Sequence, residues 1–332
     1  MTGQHGKDVD LALILNYYSP YVSGLTNVAR DLAEALVERD WRVRVVTTRH
    51  DLALPSTEIV NGVDVERANV LTTIGKGPIS PDFVRRARAV TRRAAVANLH
   101  LPMLEAGVIT RCSPSPVVAT YHCDVSLPPG RLNDAQRWAI DTSSSSTLRR
   151  SAAVVVTSAD YAEHSRLRRQ LSNQAVAIPP PCHDRSGGMA RFRDGAGFHI
   201  GFLGRIVEEK GIEYLVDAVR GIDDPHLRLL IGGEFSDVAG GSVIDRVRAR
   251  IDGDERIRLL GFLAEPDISD FYASLDAFAL PSVNPFEAFG IVQVEAMMCG
   301  VPVLASNLPG VRVPVQETGF GVIVEVRDIE GI

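Results

Sequence analysis

Arg205 and Lys210 stand where an apolar run gives way to a helical pattern, in Gly201-Phe-Leu-Gly-Arg-Ile-Val-Glu-Glu-Lys-Gly211. A guanidinium grips two phosphate oxygens with its planar fork and an ammonium adds a point charge, so this pair suits a diphosphate. Lys210 is the only lysine beyond residue 190. With Glu208 and Glu209 between them, the same two cations also read as an ordinary balanced surface. A second stretch, Asn284-Pro-Phe-Glu-Ala-Phe-Gly-Ile-Val-Gln-Val-Glu-Ala-Met-Met-Cys-Gly300, puts Glu287 before a helix and Glu295 one to two turns inside it. A loop entering a helix at Ala288, Phe289, Gly290 and Ile291 presents unsatisfied N–H groups to an anion, and Gly290 lets a phosphate approach the backbone. Ionised carboxylates only accept hydrogen bonds, which suits them to sugar hydroxyls; as residues of a helix start they also simply complement the macrodipole.

The first half offers fewer such groups. Tyr121-His122-Cys123-Asp124 follows the apolar run Val117–Thr120, which places His122 at the C-terminal end of an expected strand. An imidazole there is positioned to bind or exchange a proton, although a lone histidine is more often structural. Gly24 and Asn27 lie in Tyr17-Tyr-Ser-Pro-Tyr-Val-Ser-Gly-Leu-Thr-Asn27, just before the first long helical pattern.

The elements that must position these residues alternate regularly. Apolar runs at Leu11–Leu15, Val43–Thr47, Val117–Thr120 and Val154–Thr157, then His199–Gly204, Leu227–Gly232, Ile257–Leu263, Ala277–Leu280, Val301–Ala305 and Gly321–Val324, have the continuous hydrophobicity of parallel strands covered on both faces. Helical patterns at Asn27–Arg39, Pro81–Asn98, Ile212–Val219, Val243–Arg250 and Val294–Cys299 separate them, so the chain reads as α/β and doubly wound. The pattern occurs twice, with a break where prolines 179–181 and glycines 187, 188, 195 and 197 cluster. The expected domains are 1–183 and 198–332, joined by a linker at 184–197.

Length and composition agree. At 332 residues, with 45% hydrophobic and 23% charged residues, the chain is long enough for two cores and is not disordered. Net charge is −6, divided as 22 lysines and arginines against 18 acids up to residue 190 and 13 against 23 beyond it, which speaks against nonspecific nucleic-acid binding and for two units with different partners. No run approaches the ~20 apolar residues of a membrane span, and the start is not that of a signal peptide, so a cytoplasmic location is expected. The dispersed Cys112, Cys123, Cys182 and Cys299 read as reduced core thiols. The signatures GxGxxG after a strand, GxxxxGK[ST] and GxSxG are absent, which removes the main support for NAD, P-loop and hydrolase readings. The aspartates 8 and 10, and 252 and 254, fall outside any site and read as coincidence. Arginines 85, 86, 88, 92 and 93 share one arc of an expected helix over 84–97, either a solvated face or a contact for anionic lipid or a phosphorylated acceptor. The run 142–147, TSSSST, reads as a helix break.

Taken together, Gly-Arg-(four residues)-Lys-Gly at 204–211, Glu-x7-Glu at 287–295, Gly300-Val-Pro-Val-Leu-Ala-Ser306 and Leu308-Pro-Gly-Val-Arg312 resemble the retaining glycosyltransferases of family 4, also called group 1. The resemblance runs over nearly the whole chain. It implies the GT-B fold, two Rossmann-like doubly wound parallel-sheet domains facing across a cleft, and transfer of a hexose from a nucleotide diphosphate sugar to a glycolipid, polysaccharide or natural-product acceptor. It implies retention by front-face substitution, in which the leaving diphosphate helps deprotonate the acceptor, with no obligatory metal and no cofactor besides the sugar nucleotide. By the same resemblance Arg205 and Lys210 hold the diphosphate, Glu295 the ribose, and Glu287 with the Phe289–Gly290–Ile291 backbone the hexose. His122 falls near the donor's C6 hydroxyl and reacting carbon, Gly24 near the donor phosphate, and Asp124 and Asn27 toward the acceptor.

Two departures stand out. Ser23 occupies the first place of what is often a glycine pair, and members continue with helices, the last crossing back to the first domain, where this chain ends at Ile332, so a shortened second domain is expected. A noncatalytic sugar-nucleotide-binding subunit and a nucleotide-sugar epimerase of the same fold are the competing readings; His122 with both glutamates opposes the first, and the 287–295 element the second.

Overall fold

The computed structural model describes residues 7–74, 77–172, 174–235 and 242–332. The chain forms two compact units, Met1–Pro181 and Cys182–Ile332. In the first, the strands are β1 (Val9–Ile14), β2 (Val43–Arg49), β3 (Thr57–Val60), β4 (Val63–Asn69), a small hairpin β5 (Thr72–Ile74) and β6 (Gly77–Ile79), β7 (Ala94–Leu101), β8 (Val117–Tyr121), β9 (Ala153–Val156) and β10 (Ala175–Ala177). Its helices are α1 (Gly24–Val37), α2 (Pro81–Arg93), α3 (Ala106–Cys112), α4 (Arg131–Arg150), α5 (Ala159–His164) and α6 (Arg168–Leu171). The main sheet runs β10-β9-β8-β7-β1-β2-β4-β3 and is parallel except for the β3–β4 pair. The chain winds outward from β1 through β2 and β4, then returns to β7 on the other side, so the switch of direction falls between β1 and β7. The core strands are covered on both faces: Leu11, Leu13, Ile14, Val45, Leu99 and Ala119 are all buried.

The second unit repeats the scheme with β11 (His199–Leu203), β12 (Arg228–Gly232), β13 (Ile257–Gly261), β14 (Ala277–Leu280), β15 (Val303–Ser306) and β16 (Gly321–Val324). Between them lie α7 (Ile212–Gly221), α8 (Ile244–Ile251), α9 (Glu265–Ala273), α10 (Ile291–Met298) and α11 (Val313–Thr318). All strands are parallel in the order β13-β12-β11-β14-β15-β16, and the switch falls between β11 and β14. One face packs Phe202, Leu215, Leu229 and Val247 and the other Phe271, Phe278, Leu280 and Val311. In such sheets ligands bind beyond the C-terminal strand ends at the switch point.

Several expectations are corrected. The helix expected through Asn98 stops at Arg93, and Ala94–Leu101 is the central strand β7. Its alanines favour helix locally, but pairing of Ala94 and Leu99 with Val9 and Ile14 overrides that preference. The arginine face of α2 is largely consumed inside the unit: Arg85 reaches Asp82 at 2.5 Å, Arg86 reaches Asp82 at 2.8 Å and Glu66 at 2.7 Å, and Arg93 pairs with Asp8. The hydroxyl run 142–147 lies within α4, not at a break. Small side chains there let α3 approach, and the Gly107 N–H donates to Ser143 Oγ at 2.9 Å, which itself donates to the Leu104 carbonyl at 2.6 Å. The stretch 184–197, expected as a linker, packs on the second unit: the Met189 N–H donates to Asp270 at 2.7 Å, the Phe192 N–H to Ser274 Oγ at 3.0 Å, and Arg193 pairs with Asp276 at 2.9 Å. The four cysteines are unbridged and half-buried rather than core thiols. Among the described residues no helix is long and apolar enough to cross a membrane.

Candidate active site

Arg205, Lys210, Glu287 and Gly290 gather at the ends of β11 and β14. After β11 the chain passes Gly204 and Arg205, makes the 3₁₀ turn Glu208–Lys210, and enters α7 through Gly211. Gly211 has φ 64°, and a Cβ there would meet the Pro281 carbonyl at 2.2 Å, so only glycine lets this turn lie against the loop that follows β14. The Val283 N–H donates to the Glu209 carbonyl at 2.9 Å and closes the same contact. Lys210 Nζ thereby reaches Glu287 Oε2 in a largely buried ion pair, and Arg205 approaches Glu209 at 3.3 Å. The two cations and the first glutamate of the Glu-x7-Glu element are thus one cluster, held in register by backbone contacts.

Beyond Glu287 the loop buries Ala288 and Phe289 and turns at Gly290, φ 78°, where a Cβ would meet Leu280 Cδ2 at 2.3 Å. Gly290 is the N-cap of α10, and no side chain caps that helix, so its first N–H groups are presented at the strand edge. Phe289 is 8% exposed. Glu295 is 6% exposed. Tyr272 donates to its Oε2 at 3.1 Å and Arg185 Nε stands 3.4 Å from its Oε1, while Arg185 Nη1 reaches Glu265 at 2.5 Å. Burial raises the Glu295 carboxyl above its ordinary value, against the pull of Arg185 and the Tyr272 hydroxyl. Neither Tyr272 nor Arg185 was evident from the sequence: one reads as a core aromatic and the other as part of a Pro- and Gly-rich connection.

In the first unit the C-terminal strand ends also carry the expected residues. His122 follows β8 directly, with its N–H donating to the Leu101 carbonyl at the end of β7 at 3.0 Å. It is 7% exposed, and burial lowers its imidazole to about 4. Its Nε2 lies 2.8 Å from His100 Nδ1, a partner not evident from the sequence, where the first half of β7 reads as helix and no strand is expected around His100. Gly24 opens α1, exposed, and a Cβ there would meet nothing within 4 Å. Ser23, in the place of a second glycine, is the N-cap: its hydroxyl accepts from the Thr26 N–H at 3.2 Å and Thr26 returns the contact to the Ser23 N–H at 2.8 Å, a capping box that sets the angle of entry into α1. Asn27 lies half-buried on the next turn.

Asp124 does not match its expected acceptor role. It is 4% exposed, its Oδ1 accepts from Tyr121 and from Ser165 at 2.6 Å, and its Oδ2 accepts from the Arg166 N–H at 2.9 Å. A carboxylate so engaged anchors the loop after β8 to the turn between α5 and α6 and has little capacity left for a ligand. The paired aspartates expected to be incidental are ion-paired or capping: Asp10 with Arg42, Asp8 with Arg93, Asp254 with Arg256, and Asp252 closing α8.

Comparison with known proteins identifies the family and the fold. The family of glycosyl transferases group 1 matches residues 197–332, and the glycosyl transferase 4-like domain matches residues 23–181. The D-inositol 3-phosphate glycosyltransferase of Corynebacterium efficiens is 32% identical over 161 residues, which is 46% of this chain and 38% of that enzyme, so the chain aligns with well under half the length of such curated relatives. Among solved structures, sucrose-phosphate synthase from Thermosynechococcus elongatus superposes with a TM-score of 0.78 at 24% identity, covering 97% of this chain and 87% of that one. Anabaena Alr3699/HepE in complex with UDP gives 0.69 at 17% identity, again covering 97% and 87%. With two family domains in sequence and the strand order, glycine turns and Glu-x7-Glu loop in place, the chain belongs to the group 1 glycosyltransferases of GT-B fold.

Proposed function

We propose that this protein transfers a hexose from a nucleotide diphosphate sugar to a hydroxyl acceptor with retention of anomeric configuration. The observation that carries the reading is the Lys210–Glu287 pair at the β11–β14 switch point, with Arg205 beside it and uncapped α10 N–H groups next to it. A diphosphate entering there takes over the Lys210 and Arg205 charges from Glu287 and Glu209, which releases Glu287 to accept from hexose hydroxyls. As the glycosidic bond breaks, negative charge grows on the leaving phosphate, and these cations and N–H groups stabilise it where it forms. The chain supplies that counter-charge itself, which supports a metal-independent, front-face displacement. Glu295 accepts from the ribose, sharing it with Tyr272 and displacing or sharing Arg185. His122 meets the donor hexose, Gly24 borders the donor phosphate, and Asn27 the acceptor.

The decisive experiment is a thermal-shift screen of UDP, GDP, ADP and their hexose conjugates, since a ligand at 100 times its Kd adds ~2.7 kcal/mol of stability. UDP is the first to try, because HepE was solved with it, and a polyol phosphate is the first acceptor, because the C. efficiens relative is named for one. A shift with one nucleotide that Arg205→Ala abolishes, and a product of retained anomeric configuration by NMR, support the reading. No shift with any of them overturns it.

A further inference from the structure

Strand pairing places Asn98 opposite Val118, His100 opposite Thr120 and Leu101 opposite Tyr121. Side chains two apart on neighbouring strands share a face, so Asn98 and His100 on β7 stand beside Thr120 and His122 at the end of β8. They form a continuous chain: Asn98 Nδ2 donates to the Val118 carbonyl at 3.1 Å and to Thr120 Oγ1 at 2.9 Å, Asn98 Oδ1 lies 2.9 Å from His100 Nε2, and His100 Nδ1 lies 2.8 Å from His122 Nε2. Both imidazoles are buried, with rings stacked at a centroid separation of 5.0 Å.

The direction of this chain follows from its first link. The Val118 carbonyl can only accept, so the Asn98 atom facing it is the NH₂ group and the atom facing His100 is the carbonyl oxygen. An acceptor at that point requires the proton of His100 on Nε2. Burial holds both imidazoles neutral at ordinary pH, so each ring carries one N–H and His100 Nδ1 is bare. A bare Nδ1 requires the proton of His122 to be on Nε2. His122 Nδ1 is then the atom left to meet a ligand, as an acceptor only.

We propose that Asn98 and His100 are positioning residues that lock His122 as its Nε2–H tautomer, so that its bare Nδ1 recognises a sugar hydroxyl and has no proton to offer a phosphate oxygen. This rests on the glycosyltransferase reading for the identity of the hydroxyl, while the lock itself belongs to the protein without substrate.

Long-range ¹H–¹⁵N spectra of the full chain with labelled histidine, His122 assigned through His122→Gln, read the tautomer directly. The expected wild-type signal is Nε2–H. His100→Phe, which keeps an aromatic ring and removes the acceptor, and Asn98→Leu, which frees His100 to turn its proton toward His122, move His122 to Nδ1–H or a mixture. His100→Asn, which restores an acceptor where His100 Nδ1 stood, returns it to Nε2–H. In transfer assays with the donor that the thermal-shift screen selects, His100→Phe loses about tenfold, the worth of one hydrogen bond to substrate, and His100→Asn recovers most of it. An Nδ1–H signal in the wild type, or an Nε2–H signal unchanged in folded His100→Phe and Asn98→Leu, overturns the lock. Because the spectra need no donor, a lock that holds in a protein binding no sugar nucleotide condemns the transferase reading alone.

Discussion

At the scale of single residues, the two units use burial for different ends. His122 takes up a proton near pH 6.5 in an unfolded chain but only near 4 in the fold, so acidification favours the unfolded state across that window. Stability from this residue is complete above about pH 6.5 and is lost as the pH falls toward 4, with roughly 2 kcal/mol gone between pH 7 and pH 5. His100, lowered in the same direction, adds to the loss. Denaturant titrations of His122→Gln are expected to show a flatter acid limb than the wild type; an identical limb would mean that the ring is charged in the fold. In the second unit Lys210 and Glu287 form a largely buried ion pair, where the proposed diphosphate would bind. Lys210→Ala is expected to cost 10²–10³ in turnover, the typical loss of one charge-stabilising group, and to weaken binding of the nucleoside diphosphate in calorimetry. If Lys210→Ala binds and turns over donor like the wild type, the diphosphate lies elsewhere. The candidate residues were legible in the sequence because their types sit in fixed order at strand ends. Their partners His100, Arg185 and Tyr272 were not, because nothing in local spacing reports which side chains meet across a sheet or between helices.

At the scale of elements, the site depends on turns whose backbone only glycine adopts without strain. Gly290→Ala has to place a Cβ against Leu280 at φ 78°, and it is expected to destabilise the second unit by roughly 1–3 kcal/mol and to displace the α10 N–H groups, seen as a lower midpoint in urea together with lost nucleotide binding. The entrance of α1 rests on Ser23 instead of a second glycine. Ser23→Ala removes the capping box and is expected to cost about 1 kcal/mol in chemical denaturation, whereas Ser23→Gly, which keeps a tolerated N-cap, costs only a few tenths. The helix α2 shows how an element can mislead: its arc of arginines is real, yet Asp82, Glu66 and Asp8 answer three of the five. Those acids come from the start of the same helix, from β4 and from the segment before β1, so a helical projection of 84–97 contains none of them.

At the scale of the whole molecule, two units with separate cores imply separable unfolding. Differential scanning calorimetry is expected to resolve two transitions, and a nucleotide bound at the proposed Arg205 and Lys210 site to raise mainly the one assigned to Cys182–Ile332; a single transition moved as a block would show that the units unfold as one. The amino-acid sequence by itself determined the α/β class, the duplication and ten of the strands, and it singled out Arg205, Lys210, Glu287 and Glu295 as candidates, because apolar runs, glycine turns and charged residues at strand ends are local signals. Only the tertiary structure decided that Ala94–Leu101 is a strand, that TSSSST is helix packed on α3, that the stretch after Cys182 belongs to the second unit, and that Asp124 is an anchor. In each of those cases the deciding force is a contact with residues distant in sequence: pairing with β1, close approach to Gly107, hydrogen bonds to the end of α9, and donors from the turn between α5 and α6. Local propensity is worth tenths of a kcal/mol per residue, and burial with satisfied hydrogen bonds outweighs it.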